Sequence, residues 1–301
     1  MSYISYMGYI VTTPAGAGWR SKAAVCRVRR DPRAEAGFSQ VDLLTLVGAL
    51  VLLALLLTPA LAHTRLTDHA FVCRSNLGRL LNAWRMYAAD NSDKVPSAWA
   101  NPGDWWPAGT MSWTANATTN GANQYNWNPD VTIKKSPLWP YGGNSQEVWR
   151  CPSDASYPCL VQGQMLPRVR SYSMNSWFNA ADALAFSPGF KVYTRIADCL
   201  KPGPARTFVF LHERVDSIND GEFVVSMYGY PNQPGGWRLV DYPASQHDGA
   251  CGFAFVDGHT EMKRWLDRRT MPAIGPALMA DLSVPNSPDA YWLMDHATRA
   301  Q

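Results

Sequence analysis

The stretch AGFSQVDLLTLVGALVLLALLLTPALA, residues 36–62, decides how the rest of the chain is read. Residues 43–62 carry no charge. At about 1.5 Å of rise per residue they form a helix of roughly 30 Å, the thickness of a bilayer's hydrocarbon core. Upstream lie Arg20, Lys22, Arg27, Arg29, Arg30 and Arg33. Basic residues flanking a first span stay in the cytoplasm, so the residues from His63 onward are expected on the other side.

Two processing routes compete. If Ala60-Leu61-Ala62 closes a secretory signal peptide, the product is a soluble domain starting at His63. If the cut lies before the apolar run, at Gly37-Phe38, the span stays on the mature protein. The continuation favours the second route. Leu66, Ala70, Cys73, Leu77, Leu80, Leu81, Trp84 and Tyr87 recur at three- and four-residue steps, the signature of a helix with one apolar face. From Phe38 to about Asp90 the pattern predicts one rod of roughly 80 Å, interrupted at Pro59 and stopped by Asp90-Asn91-Ser92-Asp93 and Pro96.

Residues 37–44, GFSQVDLL, resemble the processing signal of type IV pilins and type II secretion pseudopilins. The resemblance implies a prepilin peptidase that cuts after Gly37, N-methylation of Phe38, and a carboxylate at the fifth mature position, here Asp42, that helps subunits enter a filament. Glu is usual there, and Asp42 is one methylene shorter. Further blocks resemble one pilin-related group marked by His, nine residues, then Asp-Gly: His247 and Asp257-Gly258 within PASQHDGACGFAFVDGHTEMKRW. CRSNL (73–77), RCPSD (150–154), SYSMN (171–175) and FVFLHERVDSINDG (208–221) match it as well. His212 stands where the group is expected to have an acidic residue, which argues against a metal site nearby.

The expected organisation is a leader at 1–37, with Met7 an alternative start, a transmembrane and assembly helix at 38–62, and its amphipathic half at 63–95. A globular head follows at 96–270, with a Trp-rich insert at about 97–150 and the His-x9-Asp-Gly region at 206–266, and then an irregular tail at 271–301. The fold class is α+β and pilin-like, a long N-terminal helix packed on an antiparallel sheet. Strands are predicted at 207–211, 222–227, 251–256 and 260–265 from aromatic and β-branched period-2 runs. Asp257-Gly258 between the last two predicts a type I′ hairpin turn.

The net charge of +3 belongs to the leader, where six basic residues face only Asp31 and Glu35. No basic face remains for nucleic acid. The charged fraction of 17% is below the roughly 25% of ordinary soluble domains, and thirteen Trp shift the weight to aromatic contacts. The Trp-rich insert has two readings: packing of a loop-rich layer, or a glycan-binding surface. Asn116-Ala117-Thr118 is a formal glycosylation sequon. Cys26 leaves with the leader, and the other five cysteines are an odd set, with Cys151 and Cys159 placed to close a small loop. There is no Cys-x-x-Cys.

Glu213, Asp216, Asn219 and Asp220, with Glu222, crowd oxygen donors into one short segment, which suits Ca²⁺ or an Asx turn between strands. His247, Asp248, Asp257 and His259 can be drawn as an acid–base or metal cluster, but the hairpin already accounts for Asp257 and Gly258. No phosphate-cradling loop or dinucleotide fingerprint occurs. The reading is a non-enzymatic pilin-like subunit. It would be anchored in the inner membrane with its N-terminus cytoplasmic and its head periplasmic, and assemble with other pilin or pseudopilin subunits of a secretion or pilus machine. Alternatives are a secreted or tethered carbohydrate-binding protein and a metal-dependent hydrolase around His247.

Overall fold

A computed structural model of the chain describes residues 39–99, 104–180 and 182–301, without the side chains of residues 56–68, 184 and 186. The leader, Gly37 and Phe38 lie outside the described residues. The chain forms two compact units, Met1–Leu55 and Leu56–Gln301, taken here in turn.

In the first unit helix α1, assigned over Gln40–Asp90, begins with a reciprocal cap. Ser39 Oγ accepts from Asp42 N at 3.2 Å, and Asp42 Oδ2 accepts from Ser39 N and Oγ at 2.9 and 2.8 Å. Such a box satisfies donors that a helix start leaves without partners. The apolar side chains that follow are exposed, Leu44 at 71% and Leu55 at 64%. Among the described residues no helix is long and apolar enough to cross a membrane. The predicted span, 43–62, runs beyond Leu55 into residues whose side chains are not described.

The second unit is α+β. Its described strands are β1 Cys159–Val161, β2 Gln164–Leu166, β3 Tyr172–Asn175, β4 Phe208–His212, β5 Glu222–Phe223, β6 Arg238–Leu239, β7 Ala250–Phe255, β8 Thr260–Arg264 and β9 Leu282–Ser283. Its short helices are α2 Ala117–Ala122, α3 Ala183–Phe186 and α4 Pro288–Asp295. The main sheet has the order β5-β3-β4-β7-β8, antiparallel except for the parallel β3–β5 pair. The expected all-antiparallel meander is therefore corrected to a mixed sheet.

The predicted strand at 222–227 shrinks to β5 because side chains take its N–H donors. Val224 N donates to Asp241 Oδ2 at 2.6 Å, and Met227 N donates to Ser187 Oγ at 2.7 Å. The residues of β3 are buried throughout, so the strand shows no alternation, and its Ser173 and Asn175 are polar yet enclosed.

Helix α1 covers one face of the sheet. Leu77, Leu80, Leu81 and Trp84 are fully buried, each worth roughly 1.5–3 kcal/mol relative to exposure. Gly252 of β7 permits this approach, since a Cβ there would sit 2.7 Å from Leu77 Cδ1. Adjacent residues of a strand face opposite ways. Phe253 accordingly turns to the other face, where Trp292 of α4 meets its ring edge-on at 4.9 Å. The tail expected to be irregular thus contributes a helix that covers the sheet's second face.

The hairpin between β7 and β8 has a four-residue loop. Only Gly258 takes positive φ (+109°), and its N–H donates to Phe255 O at 2.9 Å, so the two-residue type I′ turn is corrected. In the Trp-rich insert Trp106 and Trp149 are fully buried and stack at 5.1 Å, with Phe210 of β4 at 4.6 Å from Trp106. Its asparagines make the turns: Asn116, Asn123 and Asn128 each cap the short helix that follows.

Candidate metal centre

Four buried side chains from four separate segments converge where α1 meets the end of β4. Cys73 comes from α1, Cys151 from the loop before a 3₁₀ turn at Pro152–Ser156, His212 from the last position of β4, and His247 from the turn before β7. One donor atom of each lies within 4.8 Å of the others. Among the described residues this is the only group of three or more His, Cys, Asp and Glu that does so.

Within the group Cys151 Sγ is 3.2 Å from His247 Nε2, and Cys73 Sγ is 3.9 Å from His212 Nδ1. The imidazoles sit 5.5 Å apart, centre to centre. Zinc–sulfur bonds of about 2.3 Å and zinc–nitrogen bonds of about 2.0 Å place tetrahedral donors roughly 3.3–3.8 Å from each other. These two contacts straddle that interval, and no pair of donors needs more than about 1 Å of closure to reach it.

The surroundings hold His212 and the segments that carry Cys73 and Cys151. Both oxygens of Asp154 lie 3.2 Å from His212 Nε2, so a proton on Nε2 leaves Nδ1 free to ligate, as in carboxylate–histidine–metal relays. Gln246 Nε2 donates to Asp154 Oδ1 at 3.4 Å. Cys151 N donates to Ser171 Oγ at 2.9 Å. Asn76, one turn beyond Cys73, donates to Glu147 O and Arg150 O at 3.0 and 2.9 Å, and Tyr172 OH donates to Cys73 O and Arg150 O. CRSNL, RCPSD and SYSMN are therefore stitched together around the donors. A cavity of about 330 Å³, lined by Val72, Asn76, Cys151, Asp154, Arg168 and Ser171, gives access from one side.

Burial pushes the Cys151 thiol up to about 12, and Cys73 adds to the effect. Burial disfavours the His212 cation, but the Cys151 sulfur and the Asp154 carboxylate more than offset it and raise the ring. A divalent cation is the partner that would turn the two sulfurs into thiolates. The five described cysteines are free, so the Cys151–Cys159 loop closure is not made.

The expected site residues separate. His247 joins Cys73, Cys151 and His212, whereas Asp257 and Gly258 form the tip of the β7–β8 hairpin, where Arg85 of α1 donates to Asp257 O at 3.4 Å. Asp257 Oδ1 holds His259 Nδ1 at 2.6 Å on the surface, and Asp248 pairs with Arg264 at 2.7 Å, so the four-residue acid–base cluster does not form. Asp42 is engaged by Ser39.

Nor do the calcium candidates meet. Asp216 is gripped by Arg214 through two bonds of 2.6 and 2.8 Å and accepts from Gly275 N. Glu213 Oε1 accepts from Ser217 Oγ at 2.7 Å. Asn219 Oδ1 accepts from Asp220 N, and Asp220 Oδ1 accepts from Glu222 N. The segment is built as Asx-type turns and a buried ion pair.

His212, which stands where the resemblance leads one to expect an acidic residue, is one of the four converging side chains. Cys73 and Cys151 escaped sequence reasoning because no short spacing links them. The available signal was that Cys73, Cys151, His212 and His247 each fall in a different block of the family resemblance. Comparisons with protein-family models, with curated proteins and with solved structures found no match to this chain.

Proposed function

We propose that this chain is a pilin-like structural subunit. In this reading a prepilin peptidase cuts after Gly37 and Phe38 is methylated. Residues 43–62 hold the subunit in the inner membrane with its head in the periplasm. The apolar helices then bundle into a type II secretion pseudopilus or a type IV pilus-like filament. The observation that carries the reading is the division of labour along α1: apolar residues such as Leu44 and Leu55 are exposed, whereas Leu77, Leu80 and Trp84 are core residues of the head. An exposed apolar helix start needs lipid or neighbouring helices to cover it. Asp42 stands beside it with a carboxylate already shared with Ser39, a bond that a neighbour's amino group would compete for.

The metal group supports a scaffold in place of an enzyme. Four protein donors leave a tetrahedral ion no open position for substrate. The Trp-rich insert offers little to a glycan, since Trp106, Trp113 and Trp149 are buried and Trp99, Trp105, Trp127 and Trp139 are half-buried.

Mass spectrometry of the mature N-terminus, on protein made in a host with a prepilin peptidase, tests the proposal. An N-methylated Phe38 start is expected, with Asp42→Ala processed normally but depleted from filaments. A start at His63 would refute it.

A further inference from the structure

We propose that Cys73, Cys151, His212 and His247 bind one Zn²⁺ ion in a closed tetrahedral site that clips α1 to the sheet and loops of the head. The donors decide the metal class. Two sulfurs and two imidazoles are a soft-to-borderline set that suits zinc and is wrong for calcium or magnesium, which take oxygen. The ring orientations decide the donor atoms. His212 presents Nδ1 to Cys73 while its Nε2 is held by Asp154, and His247 presents Nε2 to Cys151.

Burial decides the role. All four side chains are enclosed, so the ion would be structural, reached through the cavity beside Cys151 and sealed by its own ligands. On binding, the Cys73 and Cys151 thiols release their protons to solvent, the His212 ring gives up its Nδ1 proton while keeping the one on Nε2, and both sulfurs ligate as thiolates. Because the four donors are far apart in sequence, the ion closes long loops of the chain, where a cross-link removes the most unfolded-state freedom. The site stands independently of whether the subunit enters a filament.

The test uses the full chain in detergent, loaded with one equivalent of Zn²⁺ and examined by native mass spectrometry and thermal melting. One bound zinc per chain is expected, absent from Cys151→Ser and His247→Ala and retained in Cys199→Ser. Chelation should lower the melting temperature by about 10 °C or more. Asp154→Asn, a change at a positioning residue, should weaken zinc binding by about 10–100-fold. Co²⁺ in place of zinc gives a readout on unmutated protein: intense tetrahedral d–d bands with thiolate-to-cobalt charge transfer. Absence of bound zinc, a cobalt spectrum without thiolate charge transfer, equal zinc in the Cys151 and His247 variants, or a Cys73–Cys151 disulfide in freshly purified protein would overturn the proposal.

Discussion

His212 and Glu213 are consecutive residues at the end of one strand, and they enter two buried clusters of opposite chemistry. His212 turns toward α1 and meets Cys73, Cys151 and His247. Glu213 turns the other way, among Ser217, Asp220 and Asp241. The first cluster draws its members from across the chain and brings their donor atoms together. The second draws mostly from a run that looks like a binding loop, and its carboxylates lie close enough to raise one another without gathering into a ligand set. Each acid there is settled locally: Asp216 by the Arg214 guanidinium, Asp220 by the Glu222 N–H, and Glu213 and Glu222 by holding their protons. Density of ligand-type residues in sequence is thus a poor guide to convergence. Convergence depends on which strand ends and turns the topology superposes.

The sharpest way to break this contrast is to unbalance the acidic side. Arg214 and Asp216 are both almost wholly buried, and Arg214 also donates to Pro272 O and Ala273 O. Arg214→Met leaves an unpaired buried carboxylate, and the expected loss is about 3–5 kcal/mol in denaturant unfolding. A loss below about 1 kcal/mol would show that Asp216 finds another partner or a proton.

A smaller effect concerns pH. Burial, joined by the charges of Asp220, Asp182, Asp241 and Glu213, pushes the Glu222 carboxyl up to about 10. Burial likewise raises Asp241 to about 8, with Asp220 and Asp182 adding to it. In the fold both carboxyls keep protons that the unfolded chain releases near pH 4. Their stabilisation is therefore complete below the unfolded value and is lost as pH rises toward about 8 for Asp241 and about 10 for Glu222. Stability should fall with a slope of order 1 kcal/mol per pH unit for each such group between about pH 5 and pH 8. Glu222→Gln should flatten that slope. An unchanged slope in the variant would mean that Glu222 ionises in the fold near its ordinary value.

Much of the second unit is legible in the sequence, for physical reasons that also explain the gaps. The buried stripe of α1, from Cys73 through Leu77, Leu80, Leu81 and Trp84, follows from its 3.6-residue period. Strand β4 follows from its aromatic and β-branched content, β7 from its alternating Phe residues, and β8 from the Asp257-Gly258 turn signal that precedes it. Strand β3 is not legible, because both its faces are buried and it carries Ser173 and Asn175, whose polar groups are paired inside the fold. The insert has no period because it is a series of 3₁₀ turns capped by asparagine and packed by stacked Trp rings. The metal group is the least legible feature of all. No local rule joins Cys73 to Cys151 or to His247, and only the register of β4 against its neighbours and the fit of Leu77 over Gly252 bring them to one point.

X-ray absorption at the zinc edge of the full chain, carrying one equivalent of zinc, tests the contrast most directly. A first shell of two sulfurs at about 2.3 Å and two nitrogens at about 2.0–2.1 Å, with no coordinated water, is expected. A shell of oxygens without sulfur would contradict it, placing the ion among the carboxylates and leaving Cys73, Cys151, His212 and His247 as core side chains.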